Sequence, residues 1–505
     1  MPNPSHFDVA IIGAGFSGLA AAIRLRQTGR DSFVIFERAA EVGGTWRDNV
    51  YPGCGCDVAS PLYSFSFAPN PAWSRMFSGQ PEILAYIQRT VSQFDLRPHI
   101  AFNTEIIRTE FSEATGRWTL TDRTGRVSTA RVVLVAIGPL NRPARPRLPG
   151  LASFQGKTFH SSEWDTDYDL TGQRVGVIGT GASAIQFVPQ IAPVVGQLSL
   201  FQRSAPWVLP RLDRAFSETE KTWFRRLPVL QWVQRELIYW RNELFGLVFF
   251  GNKKLTEQAR AIAARHLARA IKDPNLRRKA TPNYALGCKR VLISNDYYPA
   301  LTRPNVELVT EGIREVTPTG IITDDGRERP LDALIFGTGF VASSFLIDLH
   351  ISGRGGRSLF GEWQAGSAEA YRGTTVSGYP NMLVLVGPNT GLAHNSIIHI
   401  MESQVAYVLD YLRRLDAAGP GAYLDVRPAA QRAYNEQVQV QLRDTVWASG
   451  CQSWYQTAEG KNTTLLHTLT VKFRRSLKRV EMGDYELLRA TRTAQATQVP
   501  APTPA

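Results

Sequence analysis

Several features that would place the chain in a common class are missing from its sequence. Its 505 residues include only four cysteines: Cys54 and Cys56 are spaced C-x-C, whereas Cys288 and Cys451 lie far from them. We therefore expect neither a disulfide framework nor a metal site. So few cysteines in so long a chain are typical of a protein of the reducing cytoplasm.

Long apolar runs are also missing. No window reaches the roughly 18 uninterrupted apolar residues that a membrane-spanning helix needs, and the run LFGLVFF at residues 244–250 is too short. The apolar stretch near the start of the chain follows no basic residue and is interrupted by glycines. We therefore expect no signal peptide there.

The charge is basic but not concentrated. The formal net charge is +13, yet no zinc-finger spacing, RNA-recognition motif or block of Lys and Arg occurs, which argues against a nucleic-acid partner. A distributed positive charge suits polyanionic small molecules such as dinucleotides. The length exceeds what one hydrophobic core supports, so two or three domains are expected.

What the sequence does contain is a glycine-rich loop in a strand–loop–helix context. The apolar run at residues 7–12 predicts a buried strand, and the loop GAGFSG with Gly13, Gly15 and Gly18 leads into a helical pattern. A second predicted strand ends at Glu37, about 20 residues later, as in a dinucleotide-binding fold. Gly13 permits the tight turn, Gly15 lets the pyrophosphate approach, and Gly18 lets helix and strand pack closely. Glu37 is predicted to accept hydrogen bonds from a ribose diol.

A second loop of this type, GTGASA, occupies residues 179–184 and follows the apolar run RVGVIG. The next predicted strand is followed by Arg203 and Ser204, where an enzyme specific for NAD would commonly carry an acidic residue. A guanidinium at that point favours a 2′-phosphate through charge-assisted contacts, and Ser204 adds a hydroxyl donor. The second loop therefore predicts an NADP(H) site.

Two further motifs identify a family. The segment GGTWRDNVYPGCGCD at residues 43–57 has the pattern G-G-x-W-x4-Y-P-G-x3-D, and residues 154–165 read F-x-G-x-x-x-H-x-x-x-W-D between the two glycine loops. This combination resembles the class B flavoprotein monooxygenases of the Baeyer–Villiger type. The Trp164–Asp165 ending supports that subgroup, since relatives that oxygenate heteroatoms usually end the motif with Tyr or Phe and a basic residue. The resemblance spans about residues 7–480.

The resemblance implies a set of cofactor-binding residues, in addition to those argued from the loops. Those implied to contact FAD are Gly13, Gly15, Phe16, Ser17, Gly18, Glu37, Thr45, Trp46, Arg47, Asp48, Asp57, Tyr63, Ile106 and Ile397. Those implied to contact NADP are Gly55, Cys56, Gly179, Thr180, Gly181, Ala182, Ser183, Arg203, Ser204, Lys289, Arg290 and Trp454. The linker fingerprint comprises Phe154, Gly156, His160, Trp164 and Asp165.

The predicted fold is α/β, with two Rossmann-like dinucleotide-binding domains for FAD and NADP. A helical insertion interrupts the second domain, because residues 211–285 are rich in Arg, Leu, Trp and Ala with few strand signals. These helices either pack with solvated arginines, or use their aromatic and basic residues against a membrane surface or around a substrate channel. The predicted limits are 1–140 and 380–490 for the FAD domain, 151–210 and 286–379 for the NADP domain, 211–285 for the insertion, 141–150 for a proline-containing linker and 491–505 for a disordered tail.

The activity implied by the resemblance is insertion of one oxygen atom from O2 next to a ketone carbonyl, giving an ester or lactone. It proceeds through FAD reduced by NADPH and a C4a-peroxyflavin anion. Such an anion needs a fixed positive charge, for which Arg suits best, and a buried Arg needs a carboxylate partner. The resemblance implies that Arg290 is the catalytic arginine, and Asp57 is its expected partner, whereas His160 and Trp164 are assigned to linker geometry.

Three alternatives remain open at this point. The first is a flavin-containing monooxygenase that oxidises nitrogen or sulfur in small molecules and needs no Asp57–Arg290 pair. The second is an NADPH oxidase or reductase that makes peroxide, although no C-x-x-C motif supports disulfide chemistry. The third is a non-catalytic redox sensor that keeps FAD and NADP as ligands. The expected partners are a small ketone and O2, with a monomer or weak homodimer, no nucleic acid and at most peripheral membrane contact.

Overall fold

The structure of the chain is a computed structural model that describes residues 5–341, 346, 348–451, 453–457 and 459–491. The predicted disordered tail lies outside the described residues beyond residue 491.

The strands are β1 (Ser5–Ile12), β2 (Phe33–Phe36), β3 (Ile100–Ala101), β4 (Ile106–Ser112), β5 (Arg117–Asp122), β6 (Val127–Val135), β7 (Lys157–His160), β8 (Arg174–Ile178), β9 (Gln197–Phe201), β10 (Val208–Leu209), β11 (Leu292–Ile293), β12 (Val306–Val309), β13 (Ile313–Thr317), β14 (Gly320–Thr323), β15 (Glu328–Pro330), β16 (Ala333–Phe336), β17 (His350–Ser352), β18 (Met382–Val384), β19 (Ala422–Val426) and β20 (Tyr485–Arg489).

The helices are distributed between and within the sheets. They are α1 (Phe16–Gln27), α2 (Thr45–Asp48), α3 (Gln80–Gln93), α4 (Ala184–Ile191), α5 (Glu218–Arg226), α6 (Pro228–Gly246), α7 (Lys253–Ala270), α8 (Pro274–Lys279), α9 (Tyr297–Leu301), α10 (Leu359–Gly366), α11 (Ile397–Ala417), α12 (Pro428–Arg443) and α13 (Thr470–Ser476). Within the described ranges, no helix is long and apolar enough to cross a membrane.

The first sheet has β1 at its centre. Its strands follow the order β17-β4-β5-β6-β1-β2-β3, with β18 added alongside β6. Ile11 of β1 pairs in parallel with Ile35 on β2 and with Leu134 on β6. The continuous apolar run at the end of β1 is buried on both faces, as a central parallel strand requires. Helix α11 packs against α1 on this sheet.

The second sheet is entirely parallel, with the strand order β12-β9-β8-β16-β7. Strand β8 pairs with β9 and β16, and the linker fingerprint supplies the edge strand β7. Smaller sheets join β10 to β11, β13 through β15, and β19 to β20. The predicted fold class, an α/β protein with two dinucleotide-binding sheets, is confirmed.

The predicted helical insertion contains α5, α6, α7 and α8, which together occupy the chain between Glu218 and Lys279. The strand β17 lies in the first sheet, where it pairs with β4. The chain thus returns to the first sheet at His350. The sequence had predicted this return only at residue 380. The three residues of β17, His-Ile-Ser, offer too short an apolar pattern to be recognised as a strand.

Candidate active site

A cavity of about 1190 Å³ lies where the two glycine loops face each other. It is lined by residues from both loops, by the segment at 43–58, and by the Lys289–Arg290 and Ser453–Trp454 segments. This position, at the carboxyl ends of parallel strands, is where open α/β sheets bind their ligands. The cavity exceeds what one small molecule fills, since ordinary ligand pockets measure about 300–1,000 Å³.

The first glycine loop has the geometry of a phosphate cradle. Gly13 has a φ of +108°, and a Cβ there would lie 2.8 Å from the carbonyl oxygen of Ala136. A Cβ on Gly18 would lie 2.0 Å from the carbonyl oxygen of Gly13, so β1 and α1 pack too closely for any side chain. Helix α1 begins after Gly15 without a side-chain cap. Its first N–H groups are therefore open to an anion.

Glu37 is buried at the end of β2, where it organises the loop. One carboxylate oxygen accepts a hydrogen bond from the Ala14 N–H at 2.9 Å, and the other accepts from the Ala39 N–H and from Arg47 Nη1 at 2.9 Å. A carboxylate offers about four acceptor positions. Glu37 therefore retains capacity for the predicted ribose contact while it holds the loop.

The predicted flavin segment, residues 43–57, lies directly beside this loop. Gly44 approaches Gly15 so closely that a Cβ on Gly44 would lie 3.3 Å from the Gly15 Cα. Trp46, on the short helix α2, donates a hydrogen bond from Nε1 to the Tyr63 hydroxyl at 3.0 Å. Arg47 and Asp48 pair with each other at 2.8 Å. Thr45 and these four side chains all border the cavity.

Asp57 and Arg290 form the charged pair of the site. Arg290 Nη2 donates to Asp57 Oδ2 at 2.5 Å, and the Arg290 side chain is 38% exposed, into the cavity that it lines. The Asp57 carboxylate raises the pKa of the Arg290 guanidinium above its ordinary value. The structure therefore places a permanent cation on the cavity wall, held by one carboxylate.

The second loop repeats the cradle on the other side of the cavity. Gly179 has a φ of +105°, and a Cβ there would lie 2.5 Å from the Gly337 carbonyl oxygen. Thr180, Gly181, Ala182 and Ser183 also line the cavity, and α4 follows without a side-chain cap. As in the first loop, backbone N–H groups at a helix start are available to a phosphate.

Three donors converge at the edge of this second cradle. Arg203 follows β9 and is exposed, and Lys289 Nζ donates to Ser204 Oγ at 2.9 Å. Burial and the neighbouring Arg203 lower the pKa of Lys289. Arg203, Ser204 and Lys289 all line the cavity, and two cations with a hydroxyl are suited to a phosphate dianion.

The linker fingerprint lies outside the cavity lining. His160 ends β7 in register with Phe336, and Trp164 packs between Phe159 at 5.1 Å and Phe187 of α4 at 5.3 Å. Burial lowers the pKa of His160. This environment favours a neutral His160 imidazole with a structural role. It does not favour His160 as a group that exchanges protons with a ligand.

The remaining fingerprint residues are also explained by packing. A Cβ on Gly156 would lie 2.6 Å from the Phe154 ring, which leaves no room for a side chain. Asp165 pairs with Lys157 at 2.5 Å, which ties the end of the motif to β7. The fingerprint thus connects the second sheet to α4.

Most other predicted site residues line the cavity. Ile106 begins β4 and Ile397 begins α11, and both border the cavity together with Phe16, Ser17, Gly55, Cys56 and Trp454. Gly18 is the exception, because it is covered by the strand it packs against. Its position matches the packing role that the sequence predicted for it.

Two residues near the site carried no signal in the sequence argument. Gln186 on α4 accepts a hydrogen bond from the Tyr51 hydroxyl at 2.9 Å and donates to the Gly55 carbonyl at 2.9 Å, joining the flavin segment to the second sheet. Tyr455 is buried beside Trp454, with ring centroids 4.5 Å apart, and burial raises its pKa. The partners of Gln186 are distant in sequence, so spacing does not reveal that residue.

The cysteines differ from the expectation. Cys288 and Cys451 are bonded as a disulfide, with Cα atoms 6.2 Å apart, although they are separated by 163 positions. No disulfide was expected, because four cysteines are few for so long a chain, and the fold brings this distant pair together. Cys54 and Cys56 are buried free thiols, and burial raises the pKa of Cys54 to about 11.

Comparisons with known proteins agree with this geometry. Residues 7–237 match the model of a family described as flavin-binding monooxygenase-like. A fold with two dinucleotide cradles around one cavity and this match over residues 7–237 are typical of the flavin-binding monooxygenase class.

Relatives and solved structures narrow the class. The chain is 49% identical to a Baeyer–Villiger monooxygenase of Streptomyces coelicolor over 485 residues, and 50% identical to one of Pseudomonas aeruginosa over 491 residues; each alignment covers 96% of this chain and 93% of the relative. The fold matches cyclohexanone monooxygenase from Rhodococcus sp. Phi1 bound to NADP+, with a TM-score of 0.86, 29% identity and coverage of 97% of this chain and 100% of that one. It matches the OTEMO complex with FAD and NADP with a TM-score of 0.86 and 29% identity, over 96% of this chain and 100% of that one.

The chain belongs to the Baeyer–Villiger monooxygenase family. The family predicted from the two motifs is thereby confirmed.

Proposed function

We propose that the protein binds FAD and NADPH and inserts one oxygen atom of O2 beside the carbonyl of a ketone, giving an ester or lactone. The observation that carries this proposal is the Asp57–Arg290 pair, which places a fixed positive charge on the wall of the cavity between the two nucleotide cradles. An enzyme that only moved hydride between the cofactors would have no need of that charge.

Both cofactors fit the residues present. The glycine loop after β1, the uncapped start of α1 and the acceptor capacity of Glu37 suit the pyrophosphate and ribose of FAD. The loop after β8, with Arg203, Ser204 and Lys289 at its edge, suits the pyrophosphate and 2′-phosphate of NADPH. We propose that the cofactor-binding residues predicted from the sequence hold these groups.

Bound FAD, once reduced, supplies the activation of O2. The Arg290 guanidinium stays protonated, and therefore positively charged, at every pH at which the protein is folded. It stabilises negative charge that develops on oxygen in the cavity, an effect that is large where water is excluded. Asp57 positions the guanidinium and offsets the cost of holding it in a partly buried place.

The test is product analysis with purified, FAD-loaded protein, NADPH and isotopically labelled O2, over a panel of cyclic, linear and aryl ketones. We expect an ester or lactone carrying one labelled oxygen atom for at least one ketone, with a matching amount of NADPH consumed. Consumption of NADPH with all O2 released as peroxide for every ketone would overturn the proposal. Oxidation of amines or sulfides alone would move the protein to the heteroatom class.

Arg290→Ala tests the residue that carries the argument. We expect NADPH to reduce the flavin in this variant at saturating concentration, while ester formation falls by about 100-fold or more, the loss typical when one electrostatic contact to a developing anion is removed. Arg260→Ala, at an exposed arginine on α7, is the matched control and should behave as wild type. Ester formation that survives in Arg290→Ala would remove this residue from the mechanism.

The finer organisation is part of the same proposal. We assign FAD to the first sheet and NADP to the second, with residues 141–150 as linker and with β17 belonging to the first sheet. We also propose a cytoplasmic monomer or weak homodimer that acts on a small ketone.

A further inference from the structure

One surface of the helical insertion is apolar although it faces solvent. On α6, Val229, Leu230, Trp232, Val233, Leu237, Trp240 and Leu244 are each between 41% and 68% exposed. Five of them repeat every three or four positions, which places them in one stripe along the helix. We call these seven residues the α6 face. Contiguous exposed apolar surface of this kind marks an interaction site.

Hydrogen bonds on the opposite side of α6 hold the helix against the rest of the protein. The helix therefore cannot rotate to bury the α6 face in the core. Gln231 donates to the Asn70 carbonyl at 2.6 Å, and Arg235 donates to the carbonyls of Pro61 and Ser64 at 2.8 Å each. Glu243 is buried and accepts a hydrogen bond from Asn395 at 2.8 Å. These contacts fix the rotation of the helix and leave the apolar stripe outside.

Positive charge occurs on α6 and in the chain that flanks it on both sides. Arg225, Arg226, Arg241, Lys253 and Lys254 are exposed, and within the described part of the chain none of them has a carboxylate oxygen within ion-pair distance.

The neighbouring carboxylates are mostly engaged. Glu218 pairs with Lys221, Glu220 pairs with Arg214, and Glu257 pairs with Arg260. Glu236, half-buried on the flank of α6, carries the remaining negative charge of this helix. On α6 and in the described chain that flanks it, cations without an ion-pair partner therefore outnumber such carboxylates.

We propose that the α6 face docks on the surface of an anionic phospholipid bilayer. Trp side chains prefer the membrane–water interface, and an apolar stripe flanked by Arg and Lys is the pattern of a helix that lies in that interface. Each cation near an anionic bilayer adds to the attraction. A second copy of the chain fits less well, because a two-fold contact would bring the same cations against each other.

Docking there places the lipid surface beside the active-site cavity. Asn395, which Glu243 holds, lines the cavity, and Arg235 binds backbone on both sides of Tyr63, another lining residue. Helix α6 thus lies between the bilayer and two loops of the cavity wall. The proposal does not depend on which reaction the cavity performs.

The test uses the full-length, FAD-loaded protein and vesicles of phosphatidylcholine alone or with about a third phosphatidylglycerol. We expect co-sedimentation with the anionic vesicles at least tenfold stronger than with the neutral ones, weakening as salt is added. The triple variant Trp232→Ser/Leu237→Ser/Trp240→Ser should lose at least tenfold in binding. The matched control Val440→Ser/Leu487→Ser, which changes exposed apolar residues elsewhere, should bind as wild type.

Circular dichroism and NADPH oxidation in buffer verify that the triple variant folds, since its residues lie outside the cavity lining. Arg225→Gln/Arg226→Gln, which keeps the apolar stripe, should reduce binding to anionic vesicles and flatten its salt dependence. Equal binding by wild type and triple variant would overturn the proposal. So would absence of vesicle binding together with a concentration-dependent dimer that the triple variant abolishes, which would identify a second copy as the occupant.

Discussion

We expect single side chains to decide which nicotinamide dinucleotide the second cradle prefers. Arg203 is exposed at its edge, and Lys289 is hydrogen-bonded to Ser204 beside it. We expect Arg203→Ala to raise the KM for NADPH about 10- to 100-fold, because a hydrogen bond to a charged group contributes about 1.5–3 kcal/mol. The KM for NADH should change far less. Steady-state oxidation of both dinucleotides at fixed O2 measures the two effects.

The control for this prediction is again Arg260→Ala, which removes an exposed arginine that is remote from the cradle in sequence. An equal loss for NADPH and NADH in Arg203→Ala would contradict recognition of the 2′-phosphate. In that event Arg203 would contribute only to the general positive potential of the cavity.

Lys289 gives the same site a dependence on pH. Burial and Arg203 lower the pKa of Lys289 in the free protein, whereas a bound 2′-phosphate stabilises its charged form and raises that pKa again. Binding of NADP+ is therefore strongest below the lowered pKa of free Lys289, and weakens as pH rises from there towards the higher pKa of Lys289 in the complex. Calorimetric titration over the alkaline range below the ordinary lysine pKa of 10.5 should show the Kd of NADP+ increasing.

NAD+ and the variant Lys289→Gln provide the comparison. The Kd of NAD+ should be nearly constant over this range, and Lys289→Gln should bind NADP+ more weakly with a flat pH profile. A profile for Lys289→Gln that is as steep as that of the wild type would assign the titration to another group.

At the scale of elements, two substitutions can distinguish the role of a glycine in packing α1 on β1 from the role of a glycine in admitting the cofactor. A Cβ on Gly18 would collide with the Gly13 carbonyl oxygen, but a Cβ on Gly15 would meet only the Gly44 Cα, at 3.9 Å. Gly18→Ala should therefore destabilise the FAD-free protein by about 1–3 kcal/mol, as overpacking does. Gly15→Ala should leave that stability unchanged and reduce FAD retention, because its methyl group occupies space that the pyrophosphate needs.

Denaturant unfolding of the FAD-free protein and the flavin absorbance of purified samples measure these two quantities. Gly366→Ala, at a glycine whose Cβ would meet nothing within 4 Å, is the control and should change neither. If Gly15→Ala were purified with stoichiometric FAD, the pyrophosphate would not lie against residue 15.

The elements also show how far sequence reasoning extends. The glycine loops could be predicted because their positive φ angles and close contacts admit hardly any other residue. The Asp57–Arg290 contact joins residues 233 positions apart, so no local pattern encodes it; the family motifs alone pointed to both residues. Strand β17 and the Gln186 contacts were missed, because a three-residue strand and a lone amide carry no periodicity.

For the whole molecule, the disulfide between Cys288 and Cys451 is a covalent long-range constraint near the site. It joins the segment that carries Lys289 and Arg290 to the segment that carries Trp454 and Tyr455, across 163 positions of sequence. Closing so long a loop restricts the unfolded chain, and disulfides of this kind typically contribute about 2–5 kcal/mol to stability. Reduction by a dithiol such as dithiothreitol, which is itself oxidised to its cyclic disulfide, should remove that contribution and release two protein thiols.

We therefore expect the wild-type protein to unfold at lower urea concentration after dithiothreitol treatment, and Cys451→Ser to unfold at the lowered midpoint with or without the reductant. Thiol titration of the unfolded protein should find two groups before reduction and four after it, since Cys54 and Cys56 are free. Cys54→Ser, which leaves the bonded pair intact, should keep the response to dithiothreitol. Four thiols before reduction would show that Cys288 and Cys451 stay reduced in the purified protein, as the cytoplasm favours; their pairing would then add nothing to stability.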